Sequence, residues 1–262
     1  MSLPYEYVDA NLHERRERVF LVLAGIFIGA MAMLNIIGIT RFVHIGPLAL
    51  AVGVLPYPLT FLCTDLIGEL YGRRRANAVV WVGLLVNLLV IGTMWLGHMM
   101  PAVPSTLQPP WQTLALERPT FTPSGRALSG EVELFAVMYA CTSGAVLASM
   151  VAYLAAQFCD VYLFHFWKRL TRGRHLWLRN NGSTLVSQFV DSVAVISITF
   201  GMQVVRGDMP AGSVLQLLWS NYAFKLVAAL ADTLPFYVGV KLLSRYLRIN
   251  PLREHEQWDT AE

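Results

Sequence analysis

The sequence predicts an all-α polytopic membrane protein with six transmembrane helices, both termini in the cytoplasm and a long extracytoplasmic loop between the third and fourth helices. Of its 262 residues, 55% are hydrophobic and only 14% are charged, whereas soluble domains have about 25% charged residues. Several apolar runs reach the roughly 20 residues that a helix needs to cross a bilayer core. The polar first 18 residues lack the apolar core of a signal peptide, so we expect the first span to be retained.

The first three predicted spans run from Val19 to Ile39, from Leu48 to Tyr71 and from Ala78 to Leu96. In the second span, the two prolines of VLPYPLT remove backbone donors and favour a bend. A basic turn, GRRRAN, separates the second and third spans. Asn35 and Asn87 lie inside the first and third spans, where we expect them to form hydrogen bonds between helices.

Beyond the third span, the proline-rich stretch His98–Glu133 is predicted to be a long loop outside the membrane. The next apolar run, Leu134–Trp167, has 34 residues. It is too long for one perpendicular crossing and too short for two, so we predict a single tilted helix. The fifth span runs from Asn180 to Met202 and the sixth from Ser213 to Leu247.

Lysine and arginine residues alternate between the predicted loops and indicate the orientation. The amino-terminal tail and the turn after span two hold three each, the loop after span four holds five, and the carboxyl end holds four. The intervening loops hold only one or two. Because cytoplasmic loops carry the positive excess, residues 1–18 and 248–262 are predicted to be cytoplasmic tails of one transmembrane domain. The lipid bilayer explains this pattern, and no nucleic-acid partner is needed.

Polar side chains lie within several predicted spans, where lipid makes them costly. On span five, Gln188 and Asp191 are three residues apart and share a helix face. A carboxylate near mid-membrane costs roughly 2.5 to 3.5 kcal/mol on insertion scales, so a partner or a wet cavity is expected. On span six, Lys225 and Asp232 lie on one stripe. The predicted depths converge, and the candidate binding residues are Asp65, Glu69, Gln157, Asp160, Gln188, Asp191, Asn221, Lys225 and Asp232.

This set of side chains suits a small, planar, polar solute. Carboxylates accept pairs of N–H groups, carboxamides donate and accept, and a lysine balances one buried charge. The flat face of such a solute would be covered by an aromatic residue, for which the candidates are Tyr57, Phe61, Tyr153 and Phe224. Buried carboxyl groups can also exchange protons. Facilitated and proton-linked uptake therefore both stay open.

Other interpretations of these residues remain. Glu69 and Asp160 lie near the predicted cytoplasmic surface, where a simple interfacial position would explain them. Lys225 and Asp232 also fit a structural ion pair. A membrane enzyme would use the aspartates as acid, base or metal ligand, but the set contains no histidine and no aspartate-rich metal motif. A scaffold would not need several buried carboxylates, so we predict neither an enzyme nor a scaffold.

The cysteines indicate no metal site or disulfide framework. Cys63, Cys141 and Cys159 lie in apolar segments without CxxC spacing. We expect them to be small buried side chains. No metal ion and no other cofactor is predicted.

Three stretches resemble the signature regions of the queuosine-precursor transporter family: YPLTFLCTDLIGELYGRRRA at Tyr57–Ala76, and the blocks Gln157–Ser192 and Asn221–Tyr237. Members of this family are bacterial six-helix inner-membrane proteins that import deazaguanine bases. The resemblance implies a multi-pass inner-membrane transporter for 7-cyano-7-deazaguanine (preQ0) or a related precursor used in tRNA queuosine modification. It also implies that the nine candidate residues form the pocket for this purine-like substrate.

The family is also distantly similar to the membrane substrate-binding subunits of energy-coupling-factor transporters, which need a separate ATPase. The sequence has no P-loop motif. The resemblance therefore favours a secondary transporter and leaves a subunit that depends on an ATPase partner as the alternative. A homo-oligomer also stays open.

Overall fold

The computed structural model describes residues 10–37, 40–45, 48–121, 127–172, 175–205 and 210–250. Residues 1–9 and 251–262 of the predicted tails, and residues 122–126 of the predicted loop, lie outside the described part of the chain. The same holds for the last two residues of the predicted first span, at 38–39.

The described chain is mostly helical, and three of its helices are long and apolar enough to cross a membrane. They are α1 (Ala10–Ile37), which qualifies from Asn11 onward, α3 (Arg73–Met99) and α6 (Ala211–Leu247). The other α-helices of the described residues are α2 (Tyr57–Tyr71), α4 (Leu134–Leu170) and α5 (Leu176–Val205). A membrane protein is therefore indicated, and six crossings with both ends in the cytoplasm remain a prediction.

The fourth apolar run forms one continuous helix, as the sequence predicts. Helix α4 has 37 residues, which corresponds to about 55 Å at 1.5 Å per residue. A bilayer core is roughly 30 Å thick, so α4 is long enough to extend well past it. Its last turn carries Lys168 and Arg169, residues that the sequence placed in the following loop.

The prediction of a helix beginning at Leu48 is wrong. Strands β1 (Phe42–Ile45) and β2 (Leu48–Ala51) form an antiparallel hairpin, and α2 begins only at Tyr57. Pro56 caps this helix, and a second proline follows in its first turn. A missing backbone N–H is tolerated there because no intrahelical bond would use it. The prolines therefore mark a helix start and do not bend a longer helix.

A second hairpin corrects the prediction of an all-α chain. Strands β3 (Thr113–Phe121) and β4 (Ala127–Glu133) pair antiparallel within the predicted loop. Their register shifts between Leu116 and Thr120, a segment that includes Pro119, which cannot donate to the strand ladder. The described chain thus has two small two-stranded sheets beside its helices.

The basic turn predicted between the second and third spans is shorter than expected. Helix α3 begins at Arg73, so the arginines form its first turn. Gly72 alone separates α2 from α3, and its φ of 85° lies in the left-handed region that glycine adopts without steric cost.

The core lies between α1, α2, α3, α4 and α6, and α5 packs mainly on α4. Each of the five helices contributes a fully buried side chain: Phe27, Ile67, Val80, Phe164 and Phe236. In contrast, α1, α3 and α6 also present large apolar side chains outward, as expected for lipid-facing helices.

Two asparagines and the cysteines lie within these helices, as the sequence predicts. Asn35 Nδ2 donates to Asn87 Oδ1 at 2.7 Å, which confirms the predicted bond between α1 and α3. Cys63 is buried, as predicted, whereas Cys159 is only partly buried. The side chain of Cys141 lies outside the described part.

Candidate functional site

A buried ion pair joins α5 to α6 at the centre of the polar cluster. Lys225 Nζ donates a hydrogen bond to Asp191 Oδ2, and the two side chains are only 5% and 3% exposed. The ammonium group also lies 4.3 Å from the centroid of the Tyr57 ring, a distance that suits a cation–π contact. Asp191 therefore has a compensating partner, as expected for a buried carboxylate. Lys225 thus pairs with Asp191 of α5, and not with Asp232 of its own helix, which was the alternative that the sequence left open.

Two tyrosines surround the carboxylate of this pair. The Tyr57 hydroxyl of α2 lies beside Asp191, and Tyr153 of α4 is buried near the same carboxylate. The Tyr57 ring packs on Phe61 with 5.3 Å between ring centroids. Four helices thus contribute to the surroundings of Asp191.

A small cavity lies between α2, α5 and α6. It offers about 10 Å³ to water, enough for about one molecule. Three of the nine candidate residues line it, namely Gln188, Lys225 and Asp232. The remaining lining residues are Tyr57, Pro58, Phe61, Thr184, Phe224, Ala228 and Ala229. The sequence predicted a hollow between these helices, and in the described conformation the cavity has room for about one water molecule, far less than a purine-like base needs.

A second group of carboxyl side chains lies beside this cavity. Asp65 of α2 and Asp160 of α4 are 5% and 0% exposed, and their carboxyl groups lie within hydrogen-bonding reach of each other. Ser187 Oγ of α5 donates to Asp160 Oδ1 at 2.8 Å. Ser183 and Thr184 add hydroxyl groups next to Asp160. The candidate residues therefore form two adjacent clusters.

The other three candidates lie at different places. Glu69 is 2% exposed and accepts a hydrogen bond from Lys168 Nζ at 3.2 Å, so it forms a buried ion pair between α2 and α4. Gln157 is fully buried, and neither atom of its amide group has a partner within the described residues. Asn221 is half-buried on α6, one turn before Lys225. Glu69 and Asp160 are thus both buried between helices, and their depth in the membrane stays a prediction.

The family of the chain follows from a match over most of these elements. A family model described as "Putative vitamin uptake transporter" matches residues 51–239. The chain belongs to this family. All nine candidate residues lie inside the matched region. Members of a transporter family of this kind act on small molecules, and the three candidate membrane helices agree with a membrane protein.

One curated relative of this vitamin uptake transporter family member is informative. The chain is 25% identical, over 219 residues and 83% of each chain, to the "Probable queuosine precursor transporter" of Bacillus subtilis (strain 168). The family resemblance inferred from the three signature stretches is thus confirmed. No solved structure gives a significant match to the chain.

Several polar contacts were missed by the sequence analysis of this transporter family member. Ser187 was not singled out, although Ser183, Ser187 and Asp191 are spaced four residues apart and therefore share one face of α5. That spacing was the available signal. The bond from Thr233 Oγ1 to Asn181 Oδ1, at 3.0 Å between α6 and α5, had no comparable signal, because it depends on how two helices pack.

Proposed function

We propose that this protein imports a queuosine precursor, 7-cyano-7-deazaguanine (preQ0) or a related deazaguanine, as a multi-pass secondary transporter of the bacterial inner membrane. The observation that carries the proposal is the buried Lys225–Asp191 pair at the edge of a cavity with an aromatic wall. The similarity to the probable queuosine precursor transporter of Bacillus subtilis supports the class of substrate. The chain's membership in a transporter family supports transport.

The chemistry of the site matches the edge of a deazaguanine. This edge carries a ring N–H and an exocyclic amino group beside a carbonyl oxygen. One oxygen of Asp191 bonds to Lys225, which leaves the other as an acceptor, and Gln188 Oε1 has no donor within the described residues. We assign the N–H groups to Asp191 and Gln188, and the base carbonyl to the Lys225 ammonium. Asp232 adds a further acceptor in the cavity wall.

The flat face of the base would be covered by aromatic rings. Tyr57 and Phe61 line the cavity from α2, and Phe224 lines it from α6. Stacking on these rings would compensate for the loss of water from the base face. Six of the nine candidates do not line the cavity, namely Asp65, Glu69, Gln157, Asp160, Asp191 and Asn221. We propose that Asp191 reaches the substrate when the cavity widens and that the other five support the site.

Binding requires the cavity to widen, because a bicyclic base is far larger than one water molecule. Helix α6 is the element that we propose to move. Pro235 lies inside α6, three residues after Asp232. A proline in a helix interior removes one backbone hydrogen bond and favours a bend. Bending at this position would shift the Lys225 and Asp232 side of the cavity away from α2 and α5.

The test of the proposal is uptake by a bacterial strain that needs external precursor and has no other importer. Queuosine in its tRNA is measured after the parent chain or a variant is expressed. The parent is expected to restore queuosine, and Asp191→Ala to lose most of it at equal membrane abundance. Glu131→Ala is the matched control, because that carboxylate is exposed on strand β4. Full queuosine with Asp191→Ala would refute the site, and none with the parent would refute the substrate.

A second test fills the cavity without removing a polar group. Ala228 lines the cavity, whereas Ala231 lies on the exposed side of the same helix. Ala228→Leu is expected to lower precursor uptake at least tenfold, and Ala231→Leu to leave it within twofold of the parent. Equal uptake by both variants would show that the substrate does not occupy this space.

A further inference from the structure

The Asp65–Asp160 pair lies beside the cavity but does not line it. Resting on the import function proposed above, we infer that this carboxyl pair is a proton-binding site, separate from the substrate site, that couples precursor import to the proton gradient. The inference deepens the proposed function by naming its coupling ion and the residues that bind it.

The position of the two carboxyl groups beside each other favours a bound proton. An ionised carboxylate can only accept hydrogen bonds, so two carboxyl groups within bonding reach are compatible only when one of them holds a hydrogen. Asp160 Oδ1 already accepts from Ser187. Asp160 Oδ2 is buried, and no backbone or side-chain donor of the described residues reaches it. A proton on Asp65 would supply a donor from α2, beside the hydroxyl groups of Ser183 and Thr184 on α5.

The charges around the pair oppose a second negative charge. Asp65 faces Asp232 of α6 and Glu69 of its own helix as well as Asp160. Asp160 also faces the hydroxyl groups of Tyr57 on α2 and Tyr153 on α4.

The two buried lysines of these helices are held elsewhere, because Lys225 bonds Asp191 and Lys168 bonds Glu69. Neither Asp65 nor Asp160 has an ion-pair partner within the described residues. Two ionised carboxylates in this position would repel each other, since like charges at short distance inside protein interact strongly. A bound proton removes that repulsion.

One residue connects the proton site to the substrate site. Thr184 of α5 lines the cavity and lies beside Asp160. Loss of the proton would push α2 away from α4, and α2 also carries Tyr57, which forms one wall of the cavity. Helices α2 and α4 can therefore close around a bound base only when the pair holds its proton, so the base and the proton are carried together.

The experiment uses the full-length protein reconstituted in liposomes with labelled precursor and the membrane potential clamped. With the outside one pH unit more acidic, one proton per neutral base supports about tenfold accumulation. The parent is expected to reach accumulation of this order. Asp65→Asn and Asp160→Asn are expected to lose accumulation and to keep the exchange of labelled for unlabelled precursor at equal concentrations, because exchange needs no net proton movement. Glu131→Gln is the control and is expected to behave like the parent.

The outcomes separate the proton site from the transport function. The inference would be overturned if accumulation by the parent did not depend on the pH gradient or followed a sodium gradient. It would also be overturned if both aspartate variants accumulated the precursor as the parent does. Loss of exchange in both variants would also overturn it, because the pair would then belong to the substrate site. If the parent shows neither exchange nor accumulation, the proposed function fails, and the pair is judged by infrared spectroscopy alone.

The infrared measurement does not depend on transport or on a precursor. The purified parent at neutral pH is expected to show the carbonyl stretch of a protonated carboxyl group, and Asp65→Asn is expected to lose that band. A size-exclusion profile like that of the parent shows that the variant is folded. Absence of the band from the parent would refute the proton site whatever the transport assay gives.

Discussion

Neutralising one member of the Lys225–Asp191 pair is expected to destabilise the protein more than neutralising both. Both side chains are almost fully buried. Lys225→Met leaves the Asp191 carboxylate without its cation. Asp191→Asn leaves the Lys225 ammonium without its anion, with the cation–π contact to Tyr57 still in place. An uncompensated buried charge is the larger cost in each case, whereas the double variant has no buried charge at this position.

The magnitude follows from the burial of the pair. Removing one partner of a buried ion pair costs about 3 to 5 kcal/mol, whereas replacing both by neutral side chains is often close to neutral. For a chain of this size, 1 kcal/mol corresponds to a shift in Tm of about 2 to 4 °C, so each single variant is expected to lower Tm by roughly 6 to 20 °C. The double variant should lie closer to the parent than either single variant. The coupling energy would then be at least about 3 kcal/mol.

The assay is a double-mutant cycle on purified protein in one detergent. Thermal unfolding of the parent, the two single variants and the double variant is followed at the same pH and protein concentration. The parent is expected to take up the precursor, and the two single variants and the double variant are expected to fail. The double variant would then be stable but inactive, which separates the stability of the pair from its role in binding. Additive losses, with the double variant the least stable of the four, would refute the buried charge pair as the source of the stability.

Two further predictions use matched controls within the chain. A Cβ on Gly83 would lie 2.8 Å from Cε1 of Phe27, whereas a Cβ on Gly92 of the same helix meets nothing within 4 Å. Gly83→Ala is therefore expected to lower the free energy of unfolding by about 1 to 3 kcal/mol, and Gly92→Ala is expected to be neutral or stabilising. Equal effects of the two substitutions would contradict this packing. The ion pair of Glu69 is buried, whereas the side chains of the Glu17 pair are 38–40% exposed. In the same assay, Glu69→Gln is expected to lower the free energy of unfolding by about 3 to 5 kcal/mol, and Glu17→Gln by less than about 1 kcal/mol. Similar losses would show that burial does not decide the difference.

The positions of the long helices could be predicted from the sequence because their ends carry clear signals. Predicted spans five and six lie within four residues of the ends of α5 and α6. The segment from Leu48 to Val54 had no such signal, since a short apolar run fits a strand as well as a helix. The two prolines that follow it were interpreted as a bend, although proline at the first helical positions more often marks a start.

The candidate site could be predicted only as a set of residues. The cost of a carboxylate in lipid indicates that Asp191 has a partner, but the sequence offers Lys225 a partner on its own helix and another on α5. Only the packing of α5 against α6 decides between them. The same limit applies to Asp65 and Asp160, which lie 95 residues apart in the chain and whose approach depends on the contact between α2 and α4.

Helix α5 connects the two clusters because both use the same face of it. Ser187 bonds Asp160 and Asp191 bonds Lys225, and the two residues are four positions apart, or about 6 Å along the helix axis. A rigid helix cannot move one of these side chains relative to α4 without moving the other relative to α6. Two sites are coupled when both ligands bias the same two-state element. A proton that joins Asp65 to Asp160 and a base that bonds Asp191 would both act on neighbours of this face of α5 and would meet this condition.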